Sequence, residues 1–265
     1  MKKFLKNNYN FNNRNIIITG GLGSLGLKLS KLFYDSGANI IITDKYEQSS
    51  VRNKLKIFTN KKKFTYVKCD LSLMEERNFF YKNVKKKLKK IDILINNAAL
   101  TGDSLGKSSK NFLSQNSDLW HKEIDVNLVS VIEIIQNFRK LLMISKKPSV
   151  INIASIYGFT APKFKIYKNS KFSSPIGYSV SKSGLIQLTK WFASFLSPKI
   201  RVNCISPGGI LRKQNKNFIK NYSNETLLKR MATEDDVIGG IVFFASESSQ
   251  YITGHNLIID GGWSI

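Results

Sequence analysis

The sequence predicts an α/β fold built on one doubly wound parallel sheet, and three observations carry that reading. Short runs of β-branched and apolar residues alternate with longer helical stretches along the chain. The first such run leads straight into a cluster of glycines, Thr19-Gly20-Gly21-Leu22-Gly23-Ser24-Leu25-Gly26. The 265 residues contain no Pro/Ser-rich linker, no break in composition and no internal repeat, so a single domain is expected. Taken in order, Asn15–Thr19 (with Ile16-Ile17-Ile18) is the first strand, and the helix after it ends near Ser36-Gly37. Asn39–Thr43, Thr65–Cys69 and Ile91–Ile95 follow as the second, third and fourth strands. Ser149–Ala154, Arg201–Ile205 and Leu257–Asp260 complete a set of seven. Strands that are apolar throughout and separated by helices belong to a parallel sheet covered on both faces. Such sheets bind ligands at the carboxyl ends of their strands. The domain is expected over 15–265, behind a flexible lead-in at 1–14 that is basic at first and then Asn-rich.

Composition narrows the function. Hydrophobic residues make up 42 %, enough for a sizeable core, and no apolar run approaches the ~18 residues of a membrane span. The lead-in lacks the apolar stretch and cleavage site of a secretion signal, so a cytoplasmic protein is expected. Cys69 and Cys204 stand singly in apolar strand-like runs and read as buried thiols. With His121 and His255 the only histidines, no metal site is expected. The formal charge of +24 would suit a nucleic-acid or membrane surface. The excess, however, is lysine spread along the whole chain, with runs at Lys61-Lys62-Lys63 and from Lys85 to Lys90 where solvated helix ends and turns are expected. No interleaved aromatic pattern accompanies these runs. Neither nucleic acid nor a membrane is therefore expected as partner; an anionic small molecule drawn in by the positive field is.

Gly21, Gly23 and Gly26 satisfy G-x-G-x-x-G in the strand–loop–helix setting that gives the motif meaning. The glycines allow a tight turn and close backbone approach to a pyrophosphate, and the helix N-terminus adds free N–H groups and partial positive charge. An acid that binds the adenine-ribose hydroxyls should follow about twenty residues on, at the end of the second strand, and Asp44 stands there. Its carboxylate would repel a 2′-phosphate, which favours NAD(H). Lys45 beside it leaves NADP(H) as the second choice. These features make the expected sheet a Rossmann fold.

On a helix, the ends of Tyr178-Ser179-Val180-Ser181-Lys182 project from one face. A neighbouring ammonium lowers the pKa of a phenol from its usual value of about 10 and makes it an acid/base usable near neutral pH. With the motifs ahead of it, the chain resembles the short-chain dehydrogenase/reductase family from about Asn15 onward. The resemblance rests on an ordered set: Thr19–Gly26, Asp70, Asn96-Asn97-Ala98-Ala99, Asn127, Ser155, Tyr178 with Lys182, and Pro207-Gly208. Two positions depart from the family pattern. Ser24 stands where its middle glycine is usual, and Ala99 replaces the glycine of N-N-A-G.

The resemblance implies hydride transfer between a nicotinamide cofactor and a secondary alcohol or ketone. Tyr178 would exchange the substrate hydroxyl proton, and Lys182 would depress its pKa and bind the nicotinamide ribose. Ser155 would polarise the carbonyl, and Asn127 would hold a water in a relay towards Lys182. Gly20, Gly23, Ser24, Leu25 and Gly26 would meet the pyrophosphate, and Asp44, Asp70 and Leu71 the adenosine. Asn97 and Ala98 would run beside the cofactor, with Pro207, Gly208 and Ile210 at the nicotinamide. Family members pair through the helices that hold Asn127 and Tyr178, so a homodimer or homotetramer is implied. Leu185, Leu188, Trp191, Phe192 and Phe195 give the second helix more apolar width than a single core-facing stripe requires.

The interval from Ser155 to Tyr178 is longer than the family usually has. The insertion, near 159–176, carries Lys163, Lys165, Lys168 and Lys171, with Phe164, Tyr167 and Phe172 to pack it down. Lys163, Lys165 and Lys168 are candidate contacts for a phosphate or carboxylate; a solvated basic loop is the other reading. After Gly209 the run from Arg212 to Asn217 is short and polar, which disfavours a large apolar substrate. Together with Ser206–Ile210 and Asp260-Gly261-Gly262-Trp263, this is similar to a subgroup linked to flagellin modification and nonulosonic (sialic-acid-like) sugar biosynthesis. That likeness implies an anionic sugar or nucleotide sugar in surface-glycan biosynthesis. A 3-oxoacyl-carrier-protein reductase is a rival: its acidic partner suits a basic surface, but its common use of NADPH conflicts with Asp44. A non-catalytic NAD(H)-binding sensor or scaffold is a rival of another class, and the intact set of Asn127, Ser155, Tyr178 and Lys182 argues against it.

Overall fold

The computed structural model describes residues 8–101, 117–168 and 173–265. β1 (Asn15–Thr19), β2 (Asn39–Asp44), β3 (Phe64–Lys68), β4 (Ile93–Asn96), β5 (Ser149–Ile153), β6 (Arg201–Pro207) and β7 (Asn256–Ile259) form one sheet in the order β3-β2-β1-β4-β5-β6-β7. Every neighbouring pair is parallel. Between the strands lie α1 (Ser24–Asp35), the short α2 (Arg52–Leu55), α3 (Met74–Lys87), α4 (Ser117–Ile124), α5 (Ser130–Ile144), α6 (Ile176–Leu196), α7 (Lys216–Glu225) and α8 (Glu234–Ala245). The strand order reverses at β1, which pairs with β2 on one side and β4 on the other. A crevice opens at that switch, outside the strands' carboxyl ends, and this is where a doubly wound sheet takes its ligand.

The seven expected strands are all present, each end within two residues of its expected place. β4 starts at Ile93, two residues later than expected and directly after Asp92. It is buried, and its carboxylate accepts hydrogen bonds from Asn15 N and Ser145 Oγ before the chain enters the ladder. β1 shows why its isoleucines are consecutive. Successive side chains point to opposite faces of a strand. Ile16 and Ile18 therefore join a core with Leu29 and Phe33 of α1 and Phe244 of α8. Ile17 joins the other core, with Phe80 of α3, Phe138 of α5 and Leu185 of α6. The described part of the lead-in is attached to the first core. Phe11 packs edge-on against Phe33, and Arg14 pairs with Glu247, so residues 8–14 are fixed where flexibility was expected.

Between α4 and α5 the helix widens into a π turn, Asp125–Val129. Its outer end is pinned by Arg77 of α3, which is buried and pairs with Asp125 and Glu133 at 2.9 Å each. Arg77→Ala would leave two carboxylates without their cation. Both keep partial contact with water, so the expected loss is about 2 kcal/mol, below the ~3–5 of a fully buried pair. The midpoint of urea unfolding measures it; an unchanged midpoint would show that the pair does not hold the turn.

Candidate active site

The glycine loop is built for an anion. Gly20 has φ +61°, a conformation that side chains disfavour, and a Cβ there would lie 2.8 Å from Ala98 Cα. A Cβ at Gly26 would lie 2.1 Å from Gly20 O, so the loop closes on the helix only without one. α1 begins with no capping side chain and no acid in its first turn, which leaves its N–H groups free for a phosphate. Asn97 holds the loop to the next strand: its Nδ2 donates to the carbonyls of Thr19 and Gly20, while Thr19 Oγ1 accepts from Asn97 N and Ala98 N. Asp44 closes the far side, with Oδ2 accepting from Leu22 N at 3.0 Å and Oδ1 from Lys45 N. Asp70 Oδ1 accepts from Ser72 N and Oγ, so this oxygen shapes its own turn, and Leu71 is buried behind it. Ser24 and Leu25 open α1 beside these groups. The free helix end and the cradle that a Cβ would fill fit the diphosphate of a dinucleotide.

At the end of β5 the chain places Ser155, whose φ of 152° is rare for a residue with a side chain. Strain of this kind clusters at functional sites. Its hydroxyl hydrogen-bonds the Tyr178 phenol and favours the ionised form. Lys182, one turn on, is buried and donates from Nζ to Ile153 O at 2.6 Å. Burial lowers its pKa to about 8. Its Nζ lies 5.7 Å from the Tyr178 ring centroid. Three effects act on the Tyr178 phenol. Burial raises the phenol's pKa above its ordinary value, the Ser155 hydrogen bond opposes that, and the charge of Glu123 adds to it.

Asn127 lies in the π turn. Its Oδ1 accepts from Leu100 N, and its Nδ2 donates to Leu100 O and to Ser181 Oγ. The side chain thus ties the exit of β4 to the turn of α6 that carries Lys182. Pro207, Gly208 and Ile210 border the same cavity, which measures about 440 Å³ and also includes Ser155, Tyr178 and Lys182.

The flap departs from expectation. Lys163 pairs with Glu225 of α7 at 3.2 Å and lies over the Trp263 ring at 4.7 Å. Lys165 pairs with the same Glu225 at 2.7 Å. Lys165 and Lys168 border a separate outer cleft against α7, and none of the three lines the cavity. They latch or solvate the flap; they do not reach the site. Phe164 is exposed, Ile166 is the buried anchor, Tyr167 packs on Phe218, and Lys171 and Phe172 lie outside the described residues. The polar run after Gly209 hides a helix. Asn215 Oδ1 caps α7 by accepting from Phe218 N, and Phe218 and Tyr222, one turn apart, face the cavity. Sequence reasoning passed over that Asn cap and i, i+4 aromatic pair, and with them Tyr157, Ser174, Arg212 and Gln214, which also line the cavity.

Known proteins agree with this geometry. Residues 20–264 match the family described as enoyl-(acyl carrier protein) reductase. A short-chain dehydrogenase of Leptospira borgpetersenii with bound NAD+ aligns at a TM-score of 0.83 and 32 % identity, over 97 % of this chain and 94 % of that one. The chain belongs to the short-chain dehydrogenase/reductase family. It is therefore an NAD(P)-dependent oxidoreductase. The post-translational flagellin modification protein A of Campylobacter coli is 29 % identical over 255 residues, 96 % of this chain and 99 % of that protein. This is the subgroup that the sequence resembles. A 3-oxoacyl-acyl-carrier-protein reductase of Chlamydia muridarum is 29 % identical over 257 residues, 94 % and 97 % of the two chains.

The loop geometry makes a direct prediction. Gly26→Ala should abolish the fluorescence enhancement of NADH on binding, because the added methyl collides with a backbone carbonyl. NADH binding that survives the substitution would place the cofactor elsewhere.

Proposed function

We propose that this chain transfers a hydride between NAD(H), in preference to NADP(H), and a secondary alcohol or ketone on an anionic sugar or nucleotide sugar. The observation that carries the substrate reading is the hydroxyl-rich wall of the cavity. There Tyr157 and Tyr167 share a 2.7 Å hydrogen bond between their hydroxyls, and Ser174 Oγ is buried with no partner among the described residues. A buried hydroxyl left unpaired costs about 1–3 kcal/mol, and a polyhydroxylated ligand would answer it. Arg212 and Gln214 on the same wall suit a carboxylate or phosphate. The name of the Campylobacter coli relative supports a role in surface modification. Asp44 supports NAD(H), since a carboxylate at the end of β2 would repel a 2′-phosphate.

Bound nicotinamide would supply or accept the hydride at the substrate carbon. In reduction, Tyr178 Oη gives its proton to the carbonyl oxygen as the carbon gains the hydride, and Ser155 Oγ donates a hydrogen bond to that oxygen. Lys182, fixed under the ring, offsets the negative charge left on the phenol. Oxidation runs the same transfers backwards. Asn127 keeps α6 in register with the strand ends. The exposed Trp191 and Phe195 on α6, with Arg139 over the Phe195 ring, support a homodimer or homotetramer paired through this helix, in the cytoplasm.

A 3-oxoacyl-carrier-protein reductase is the second reading. The Chlamydia muridarum relative favours it, as do Ile156, Phe218 and Met231 on the apolar part of the cavity. A panel of nucleotide sugars, sugar phosphates and β-ketoacyl thioesters, assayed with NADH and with NADPH, separates the two. Turnover of a sugar with NADH is expected, and activity confined to thioesters with NADPH would overturn the proposal. Tyr178→Phe should lower turnover by about 10²–10⁴ while NADH still binds. Asp44→Ser should raise the preference for NADPH roughly tenfold, equivalent to about 1.4 kcal/mol. An unchanged cofactor ratio would remove Asp44 from the selection.

A further inference from the structure

Gly208 and Gly209 border the cavity at the exit of β6, and neither has the left-handed φ that calls for glycine. Packing is what excludes a side chain there. A Cβ at Gly208 would lie 2.9 Å from Asp260 Cα and 3.0 Å from Tyr222 Oη. One at Gly209 would lie 2.7 Å from two carbons of the Tyr222 ring. Tyr222 belongs to α7, 13 residues beyond Gly209, and is buried. Its ring lies flat on Trp263, with centroids 4.4 Å apart and planes at 14°. Trp263 is itself buried, beneath the Lys163 ammonium.

The phenol does more than fill space, because its oxygen accepts a hydrogen bond from Gly209 N. Neighbouring main-chain groups of the same stretch bond elsewhere. Gly208 N donates to Ile259 O at 2.9 Å, Gly209 O accepts from Ala232 N at 3.0 Å, and Ile210 O accepts from Gln214 Nε2 at 3.0 Å. Two consecutive glycines bring no side chains with which to brace this loop, and glycine is the residue with most backbone freedom to lose. The brace comes from α7 instead. Without the hydroxyl, Gly209 N would face an apolar ring, and a polar group set against an apolar surface is costly enough to move the loop.

We propose that Tyr222 is a positioning residue for the nicotinamide end of the cofactor. Its hydroxyl holds Gly209 N, its ring sets how closely α7 approaches Pro207–Ile210, and the stack on Trp263 keeps the ring in place. The inference rests on the reading of Pro207, Gly208 and Ile210 as the border of the nicotinamide, and not on the identity of the substrate. Phe218, one turn earlier on α7, lines the cavity where the substrate is placed. One helix thereby sets the spacing between the two partners of the hydride transfer, and such transfers depend steeply on spacing.

The test separates the two ends of the dinucleotide. ADP-ribose carries the adenosine and diphosphate of NADH but lacks the nicotinamide. Binding of NADH is followed by its fluorescence and binding of ADP-ribose by calorimetry, in the unaltered protein and in Tyr222→Phe, which keeps the ring and removes the hydroxyl. The expected result is an NADH Kd raised about tenfold, with ADP-ribose binding unchanged. Equal weakening of both ligands would make Tyr222 a residue of the general fold and overturn the proposal. No change in either would overturn it as well. Should Tyr222→Phe not fold, Trp263→Leu keeps the hydroxyl and removes the stacked ring; the same selective loss of NADH binding is expected, and its absence counts against the proposal. If the unaltered protein binds ADP-ribose but gains nothing from the nicotinamide, or binds neither ligand, the cofactor reading fails before any variant is compared.

Discussion

The Lys182 ammonium donates to the carbonyl of the last residue of β5, and the catalytic half of the cavity takes its coordinates from that bond. A buried cation must stay paired, because removing its acceptor leaves an uncompensated charge away from water. α6 is therefore referenced to the sheet at the place where Ser155 leaves it. Tyr178, one turn earlier on the same helix face, arrives beside Ser155 as a consequence. Two further buried ties prevent the helix from rotating about this point. Asn127 bonds Ser181, and the row Asn96–Asn152–Thr189 runs from β4 through β5 to the middle of α6. These ties limit the movement of Tyr178 and Lys182 against the sheet, and fixed geometry is what a hydride transfer between two bound molecules requires. Burial acts on the phenol and on Lys182 alike in the direction of neutrality, while the Ser155 hydrogen bond favours the phenolate.

The frame of this chain was readable because its signals are local and repeated. A β-branched run closed by glycines, Asp44 at the end of the second strand and Tyr178 four residues before Lys182 each fix a position by short-range geometry. What was not readable depends on pairing across the fold. Glu225 lies far along the chain from Lys163 and Lys165, so the sequence left the flap open between an anion contact and a solvated basic loop, and its pairing with Glu225 was not visible. α7 begins within the polar run from Arg212 to Asn217, and the Asn215 cap with Phe218 and Tyr222 one turn apart held its pattern. Glu123 occupies a helix interior where sequence alone shows a solvated charge; its burial follows from Gly177, on another helix.

The lysine excess now has a narrower meaning. At physiological salt a surface charge is screened within about 8 Å, so +24 spread over the outside of the domain gives a diffuse field rather than a binding contact. Such a field raises the encounter rate with anions of every kind and discriminates among none of them. Discrimination has to be made where water is excluded. Among the described residues the cavity wall carries two basic side chains, Lys182 and Arg212, and both have partners: the first on Ile153 O, the second on Glu234. A substrate anion would therefore compete with Glu234 for Arg212 rather than meet a free cation. On the proposed reading, binding strength would rest on the hydroxyl groups of Tyr157, Tyr167 and Ser174, because hydrogen bonds are worth more in a dry cavity than in water. Selection by hydroxyl pattern, with charge as an aid to arrival, is what this distribution of groups permits.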